Sequence, residues 1–182
     1  MMLERRKNRL SHAKAIALVG IAAATIECAK LALSFLPNVE VVTLLTALYG
    51  YVFGWLGVLA SLVFVCIEPL IYGVNTWVVT YFISWPLVAF IFMTLRRLRV
   101  INRWILSATA VGLTVIFGIL SSVIDTAIML GVNEHYFKNL VIYYLRGAVF
   151  YAIQIVTNAV VFPLLFGFLA EKLKLIKRNM KI

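Results

Sequence analysis

Residues 77–95 read WVVTYFISWPLVAFIFMTL, a run without a charge, and Arg96, Arg97, Arg99 and Arg103 follow it directly. A helix that crosses a membrane needs about 20 consecutive, mostly apolar residues. Lysine and arginine collect in the cytoplasmic loops next to such helices. The stretch therefore predicts a transmembrane helix whose C-terminal end faces the cytoplasm.

The composition extends this prediction to the whole chain. Of its 182 residues, 64% are hydrophobic and 13% are charged, and the mean hydropathy is +1.02. A soluble domain carries about a quarter charged residues, and a chain of this size leaves about a third of its unfolded surface exposed. The net charge of +10 is compatible with nucleic-acid binding, but basic cytoplasmic loops produce it equally well. We therefore expect an integral membrane protein whose surroundings are the lipid bilayer, with no nucleic acid.

The basic residues form three clusters that open, interrupt and close the chain. If all three are cytoplasmic, an even number of spans separates each cluster from the next. The long continuous apolar runs are typical of helices and not of a β-barrel. We predict an all-α integral membrane protein, one domain over residues 1–182 with six transmembrane helices and both termini cytoplasmic. The predicted helices are 12–36, 39–54, 56–72, 77–95, 104–130 and 139–170.

Charged and polar residues inside the spans lie on the outer side of this topology. An intramembrane charge is costly, so each one is a functional candidate. Their absence at other depths argues against a channel and favours a pocket that opens outward. Glu27 and Lys30, three residues apart, could also simply neutralise each other, and Arg146 could pair with Asp125 or Glu68. The predicted ligand contacts are Asn38, Glu40, Glu68, Tyr72, Asn75, Trp77, Tyr81, Trp85, Asp125 and Arg146.

Aromatic residues add to the same outer layer. Trp77, Tyr81 and Trp85 follow one another at intervals of four and share one face of the predicted fourth helix. One interpretation is an interfacial aromatic belt. The other is a stacking surface for a flat or ring-bearing ligand.

A stripe of small residues, Ala13, Ala17, Gly20 and Ala24, lies on one face of the first predicted helix. Small residues at this spacing let another helix approach closely within a membrane. The neighbour is either another helix of this chain or another membrane subunit. The stripe begins at the cytoplasmic end, opposite the predicted pocket.

These features resemble the substrate-binding subunits, or S-components, of energy-coupling factor (ECF) vitamin transporters. Three segments carry the resemblance: Ala13-x-x-x-Ala17, the turn Leu36-Pro37-Asn38-Val39-Glu40 running into residues 41–45, and Glu68-Pro69-Leu70-Ile71-Tyr72-Gly73. The likeness covers essentially the whole chain in length, topology and basic termini. The last two segments look most like the cobalamin-type branch.

The resemblance implies a multi-pass protein of a prokaryotic plasma membrane that captures a vitamin from outside. It would dock through its first helix on a membrane coupling subunit that carries two cytoplasmic ATPases. The chain has no Gly-x-x-x-x-Gly-Lys-[Ser/Thr] loop, so it cannot hydrolyse ATP by that route. The resemblance implies that the chain is not itself catalytic and that the partner subunits hydrolyse ATP. We expect no cofactor and no metal, because the vitamin is bound as the transported substrate.

Two alternatives remain open at this level. The vitamin could be pyridoxine, a thiamine precursor or a queuosine precursor in place of cobalamin. The chain could also be a stand-alone secondary transporter of a small heterocyclic solute, although six spans without a repeat fit that class poorly. A membrane enzyme fits less well, because Asp125 is the one aspartate within a predicted span and neither histidine lies in one.

Overall fold

A computed structural model describes residues 2–36 and 39–180, with side chains from His12 onward. In these ranges the chain is helical and contains no strand. The helices are α1 (Met2–Ala32), α2 (Val42–Phe53), α3 (Trp55–Tyr72), α4 (Thr76–Arg97), α5 (Arg103–Leu130), α6 (Tyr136–Val161) and α7 (Gly167–Met180). A π-helical segment, Phe162–Phe166, joins α6 to α7 without leaving helical backbone.

Five stretches of helix are long and apolar enough to cross a membrane: His12–Ala32, Trp55–Tyr72, Thr76–Arg97, Arg103–Leu130 and Tyr136–Met180. Large apolar side chains cover the outside of the bundle, as Ile16 (73% exposed) and Val149 (71% exposed) illustrate. Proteins dissolved in water rarely expose so extended an apolar surface. The prediction of an all-helical, multi-pass membrane type of protein is confirmed at this level.

Helix α2 lies at the centre of the bundle. Each of its residues except Leu45 is buried, and it packs against both α3 and α4. With 12 residues it is about 18 Å long, shorter than a hydrocarbon core of about 30 Å. Gly50 allows this packing, because a Cβ there would collide with the backbone of Ala89 in α4. Gly54, at φ 65°, makes the turn into α3.

Several predicted helix boundaries differ from the structure, and the second helix begins at Val42, not at residue 39. The first helix ends at Ala32, not at residue 36, and residues 33–36 form turns. Pro37 disfavours helical backbone at Leu36, so the helix is expected to end before that residue. The last helical stretch begins at Tyr136 and continues to Met180, well past residue 170. Pro163 does not end it, because the π-helical segment accommodates the missing N–H group.

The basic clusters from three parts of the chain meet at one end of the bundle. The Nζ atom of Lys14 in α1 donates to the carbonyl of Met180, 3.0 Å away. Lys177 of α7 donates to the carbonyl of Val52, 2.7 Å away, near the end of α2. Arg96, near the end of α4, lies 5.4 Å from the ring centre of Tyr51. We call this the basic end and the opposite one the polar end.

Aromatic side chains fill the interior between the two ends. Phe162 and Phe166 stack at 5.4 Å, and Phe92 lies 5.6 and 5.5 Å from them. All three are at most 2% exposed. Phe92 follows Trp85 by seven residues, about 10 Å along α4. This packed layer separates the polar end from the basic end.

Candidate functional site

A cavity of about 270 Å³ lies at the polar end of the bundle. The last turn of α1, the segment before α2, the end of α3, and helices α4 and α6 all contribute to its wall. Its polar and aromatic lining comprises Lys30, Ser34, Glu40, Tyr72, Tyr81, Trp85, Phe150 and Gln154. We call it the outer cavity.

A smaller pocket of about 20 Å³ adjoins the outer cavity. The two share Glu40, Trp85 and Gln154 as lining residues. Ser84 and Thr114 add hydroxyl groups to the smaller one. Together the two spaces reach from the mouth of the cavity toward α5.

An ion pair closes one side of the outer cavity. The Nζ atom of Lys30 lies 2.6 and 2.5 Å from the two carboxylate oxygens of Glu68. The Glu68 side chain is 1% exposed and that of Lys30 is 26% exposed. Lys30 also lies 4.1 Å from the ring centre of Tyr72, whose hydroxyl donates to Glu27 Oε1 at 3.1 Å. Lys30 therefore pairs with Glu68 across 38 residues of chain, and the suggested pairing with Glu27 on the same helix is wrong.

The aromatic residues of α4 form a continuous edge-to-face series. The ring centres of Trp77 and Tyr81 are 4.9 Å apart, and those of Tyr81 and Trp85 are 5.4 Å apart. Trp85 then stacks on Phe117 of α5 at 5.5 Å. Tyr81 and Trp85 line the outer cavity, whereas Trp77 does not. The series offers ring surfaces on which a flat ligand could stack.

Glu40 stands at the start of α2, where the two spaces meet. Its carboxylate accepts hydrogen bonds from the Thr43 backbone N–H (3.1 Å) and the Thr43 hydroxyl (2.7 Å). Burial raises the pKa of the Glu40 carboxyl above its ordinary value of 4.5, and these hydrogen bonds oppose part of the rise. Glu40 thus places a buried, hydrogen-bonded carboxyl group where the two spaces meet.

Two polar atoms of the shared lining have no hydrogen-bond partner among the described residues. They are the indole Nε1 of Trp85 and the amide Oε1 of Gln154. Buried polar atoms are nearly always paired. One is a donor and the other an acceptor, so a polar ligand could satisfy both.

Three predicted contacts, Asn75, Asp125 and Arg146, lie away from the outer cavity. Asn75 caps α4 by accepting from the Thr76 N–H at 2.7 Å. Asp125 is half-buried on α5, with the Ser121 hydroxyl 3.4 Å from its Oδ2. Arg146 is exposed on α6, 5.7 Å from the ring centre of Tyr143. Neither Asp125 nor Glu68 forms an ion pair with Arg146 in the described part of the chain, so that suggested pairing is wrong.

The remaining predicted contacts divide as follows. Glu40, Tyr72, Tyr81 and Trp85 line the outer cavity. Glu68 and Trp77 do not line the cavity themselves, but each contacts a residue that does. Glu68 pairs with Lys30, and Trp77 packs on Tyr81. Asn38 lies outside the described residues.

Sequence reasoning left Lys30 and Gln154 out of the predicted contacts, although both line the outer cavity. Each carried a usable signal, because each is a polar residue within an apolar helix. For Lys30, the spacing along the helix points to Glu27, three residues away, as the nearest opposite charge. The distant partner of Lys30 could not be read from local spacing.

The small-residue stripe of α1 faces away from the bundle. Ala13, Ala17, Gly20 and Ala24 are all exposed. The opposite face of α1 is buried, through residues such as Ala22 and Ile26. Packing of the stripe against another helix of this chain is therefore not observed among the described residues.

Fold and site together define a helical protein of the multi-pass membrane type with a polar, aromatic cavity at one end. Comparisons with protein-family models, with curated proteins and with solved structures yield no match to this chain. Its function is therefore argued from its own residues.

Proposed function

We propose that this chain is the substrate-capture subunit of an ATP-driven vitamin importer of the ECF type. In this proposal it crosses a prokaryotic plasma membrane six times, with α2 as a short, protein-surrounded span and both termini in the cytoplasm. The observation that carries the proposal is the outer cavity, which is rich in polar and aromatic groups and closed below by packed aromatic rings.

The orientation follows from the basic end. Lysines and arginines from α1, α4 and α7 gather there, and such residues collect on the cytoplasmic side of membranes. The outer cavity lies at the opposite end and thus opens to the outside. A site that opens to the outside and is closed toward the cytoplasm by packed aromatic rings suits the capture of a solute from outside.

The lining favours a ring-bearing polar solute. Tyr81 and Trp85 supply ring surfaces, and Gln154 and the Trp85 N–H supply an acceptor and a donor. Glu40 and Lys30 supply groups of opposite charge. This chemistry matches a heterocycle that carries amide, hydroxyl or amine substituents.

Two kinds of substrate are candidates, and a different observation favours each. The resemblance of residues 36–40 and 68–73 to the cobalamin-type branch favours cobalamin. The volume of about 270 Å³ lies just below the range of about 300–1,000 Å³ for drug-sized ligands. It favours a compact heterocycle such as pyridoxine or a thiamine precursor.

The capture subunit would work with an ATP-hydrolysing partner. Exposed small residues along α1 give a coupling subunit a face on which its own helix could pack closely. In this proposal the chain binds and presents the vitamin, and two cytoplasmic ATPases of the partner complex supply the energy.

Native mass spectrometry of the purified full chain against a panel of vitamins, cobalamin included, tests the proposal. We expect one tight adduct, which names the substrate. Trp85→Phe keeps a ring but loses the unpartnered N–H, so the affinity should fall about tenfold, the value of one hydrogen bond.

The matched control is Trp104→Phe, an exposed tryptophan at the basic end. It should bind the vitamin as the natural chain does. The absence of any adduct from a folded sample would contradict the proposal. Equal weakening by the two substitutions would remove Trp85 from the site.

A further inference from the structure

A second cavity, of about 410 Å³, opens at the basic end. Five cations line it: Arg96, Arg97, Lys174, Lys177 and Arg178. They come from the last turn of α4 and from α7, segments that are more than 70 residues apart in the chain. We call this space the basic cavity.

Contacts with Tyr51 bring cations of both helices to one place. The Tyr51 hydroxyl donates to the Val100 carbonyl at 2.8 Å, which fixes its ring. Arg96 lies 5.4 Å and Lys174 5.9 Å from the centre of that ring. Lys177 is held by its hydrogen bond to the Val52 carbonyl. The cations therefore converge on one cavity and do not spread over the surface.

The basic cavity has little negative charge to balance these groups. The two ion pairs found among the described residues involve Lys30 and His135, neither of which lies here. Glu171 lines an adjoining groove but no residue of the basic cavity itself is acidic. Orienting a protein in a membrane requires basic residues on one side of it, not their convergence on one cavity. Clustered cations repel one another, so the arrangement fits an anionic ligand.

The adjoining groove indicates where that ligand comes from. It runs along α7, shares Lys174 and Arg178 with the basic cavity, and is also lined by Phe168 and Leu175. Both apolar side chains are exposed, at 61% and 44%. Phe168 precedes Lys174 by six residues, about 9 Å along α7 toward the middle of the bundle. A charged cavity thus continues into a groove in which Phe168 and Leu175 offer apolar surface beside the charged Glu171 and Lys172, and the Phe168 end of the groove lies toward the membrane interior.

We propose that the basic cavity binds the phosphate group of an anionic phospholipid, with an acyl chain lying along the groove between Phe168 and Leu175. Basic pockets between helices at the cytoplasmic surface suit such headgroups. The proposal does not depend on the vitamin-capture function, because the two cavities lie at opposite ends of the bundle.

The test is a titration of the full chain in detergent with phosphatidylglycerol, followed by native mass spectrometry. The variant Arg97→Gln/Arg178→Gln removes two exposed cations that have no hydrogen bond within the described residues. Each basic residue near a membrane surface contributes about 1 kcal/mol to binding an anionic lipid. We therefore expect affinity to fall about 30-fold in the double variant.

The matched control is Arg99→Gln/Arg103→Gln, which removes two charges near the same end but outside the lining of the basic cavity. It should bind within about threefold of the natural chain. Equal weakening in both variants would overturn the proposal, because general charge would then explain the binding. If the first variant melts early, the single variant Lys174→Gln replaces it, with an expected loss of about fivefold.

Two further titrations identify the source of the phosphate. Phosphatidylcholine, which is neutral overall, should bind much more weakly than phosphatidylglycerol. Inorganic phosphate at millimolar concentration should not displace phosphatidylglycerol, because it lacks the acyl chain. Displacement by inorganic phosphate, or equal binding of the two lipids, would overturn the assignment to an anionic lipid.

Discussion

Lys30 compensates the charge of Glu68, a carboxylate that is 1% exposed between α1 and α3. Removing one partner of a buried pair leaves a charge without compensation, which costs about 3–5 kcal/mol. Since Lys30 itself is partly exposed, we expect Lys30→Met to lower the free energy of unfolding by about 2 kcal/mol. Thermal unfolding of the detergent-solubilised chain measures the change.

The exposed Lys138, on α6 near the same end, provides the matched control. Lys138→Met should leave the melting temperature unchanged. Adding Glu68→Gln to Lys30→Met should restore part of the lost stability, because the uncompensated charge is then gone. No recovery in the double variant would mean that Lys30 stabilises the fold by packing alone.

At the scale of the helix, the start of α2 carries a pH-dependent contribution from Glu40. The pKa of its carboxyl is higher in the folded chain than its ordinary value of 4.5. The folded state therefore holds the proton more tightly, and the contribution to stability is fully present below about pH 4.5. That contribution is lost as the pH rises through the folded-state pKa.

Glu40→Gln removes this titration and keeps an acceptor for the Thr43 N–H. As the pH rises from about 4 to 8, the variant should gain melting temperature relative to the natural chain. Glu134→Gln, at an exposed loop position, should show no such trend. A constant difference between Glu40→Gln and the natural chain would show that Glu40 does not titrate in this range.

Which helices form could be predicted from the sequence, since uninterrupted apolar runs mark them. The stacking of Trp77, Tyr81 and Trp85 could also be predicted, because intervals of four place residues on one helical face. The position of Arg146 could not. Depth in the membrane follows from distance along the helix, whereas the side toward which a residue faces depends on packing with distant segments. For the same reason the pairing of Lys30 with Glu68 was missed.

At the scale of the whole molecule, the proposed function assigns the exposed stripe of α1 to the coupling of capture with transport. In the proposed function, Ala13, Ala17, Gly20 and Ala24 form the face on which the coupling subunit packs. Ala17→Leu adds bulk to an exposed position and removes nothing from the core. It should therefore leave vitamin affinity unchanged while reducing uptake at least tenfold in vesicles that contain the whole transporter.

Ala108→Leu makes the same change at an exposed alanine of α5 and should leave uptake intact. Loss of vitamin binding in Ala17→Leu would mean that the stripe supports the fold and not a partner. Uptake by the chain alone, in vesicles without any ATPase, would identify a stand-alone secondary transporter. Binding without uptake in Ala17→Leu, together with normal uptake in Ala108→Leu, would place capture and coupling on separate surfaces. The outer cavity would then hold the vitamin while the outside of α1 engages the partner that drives its release.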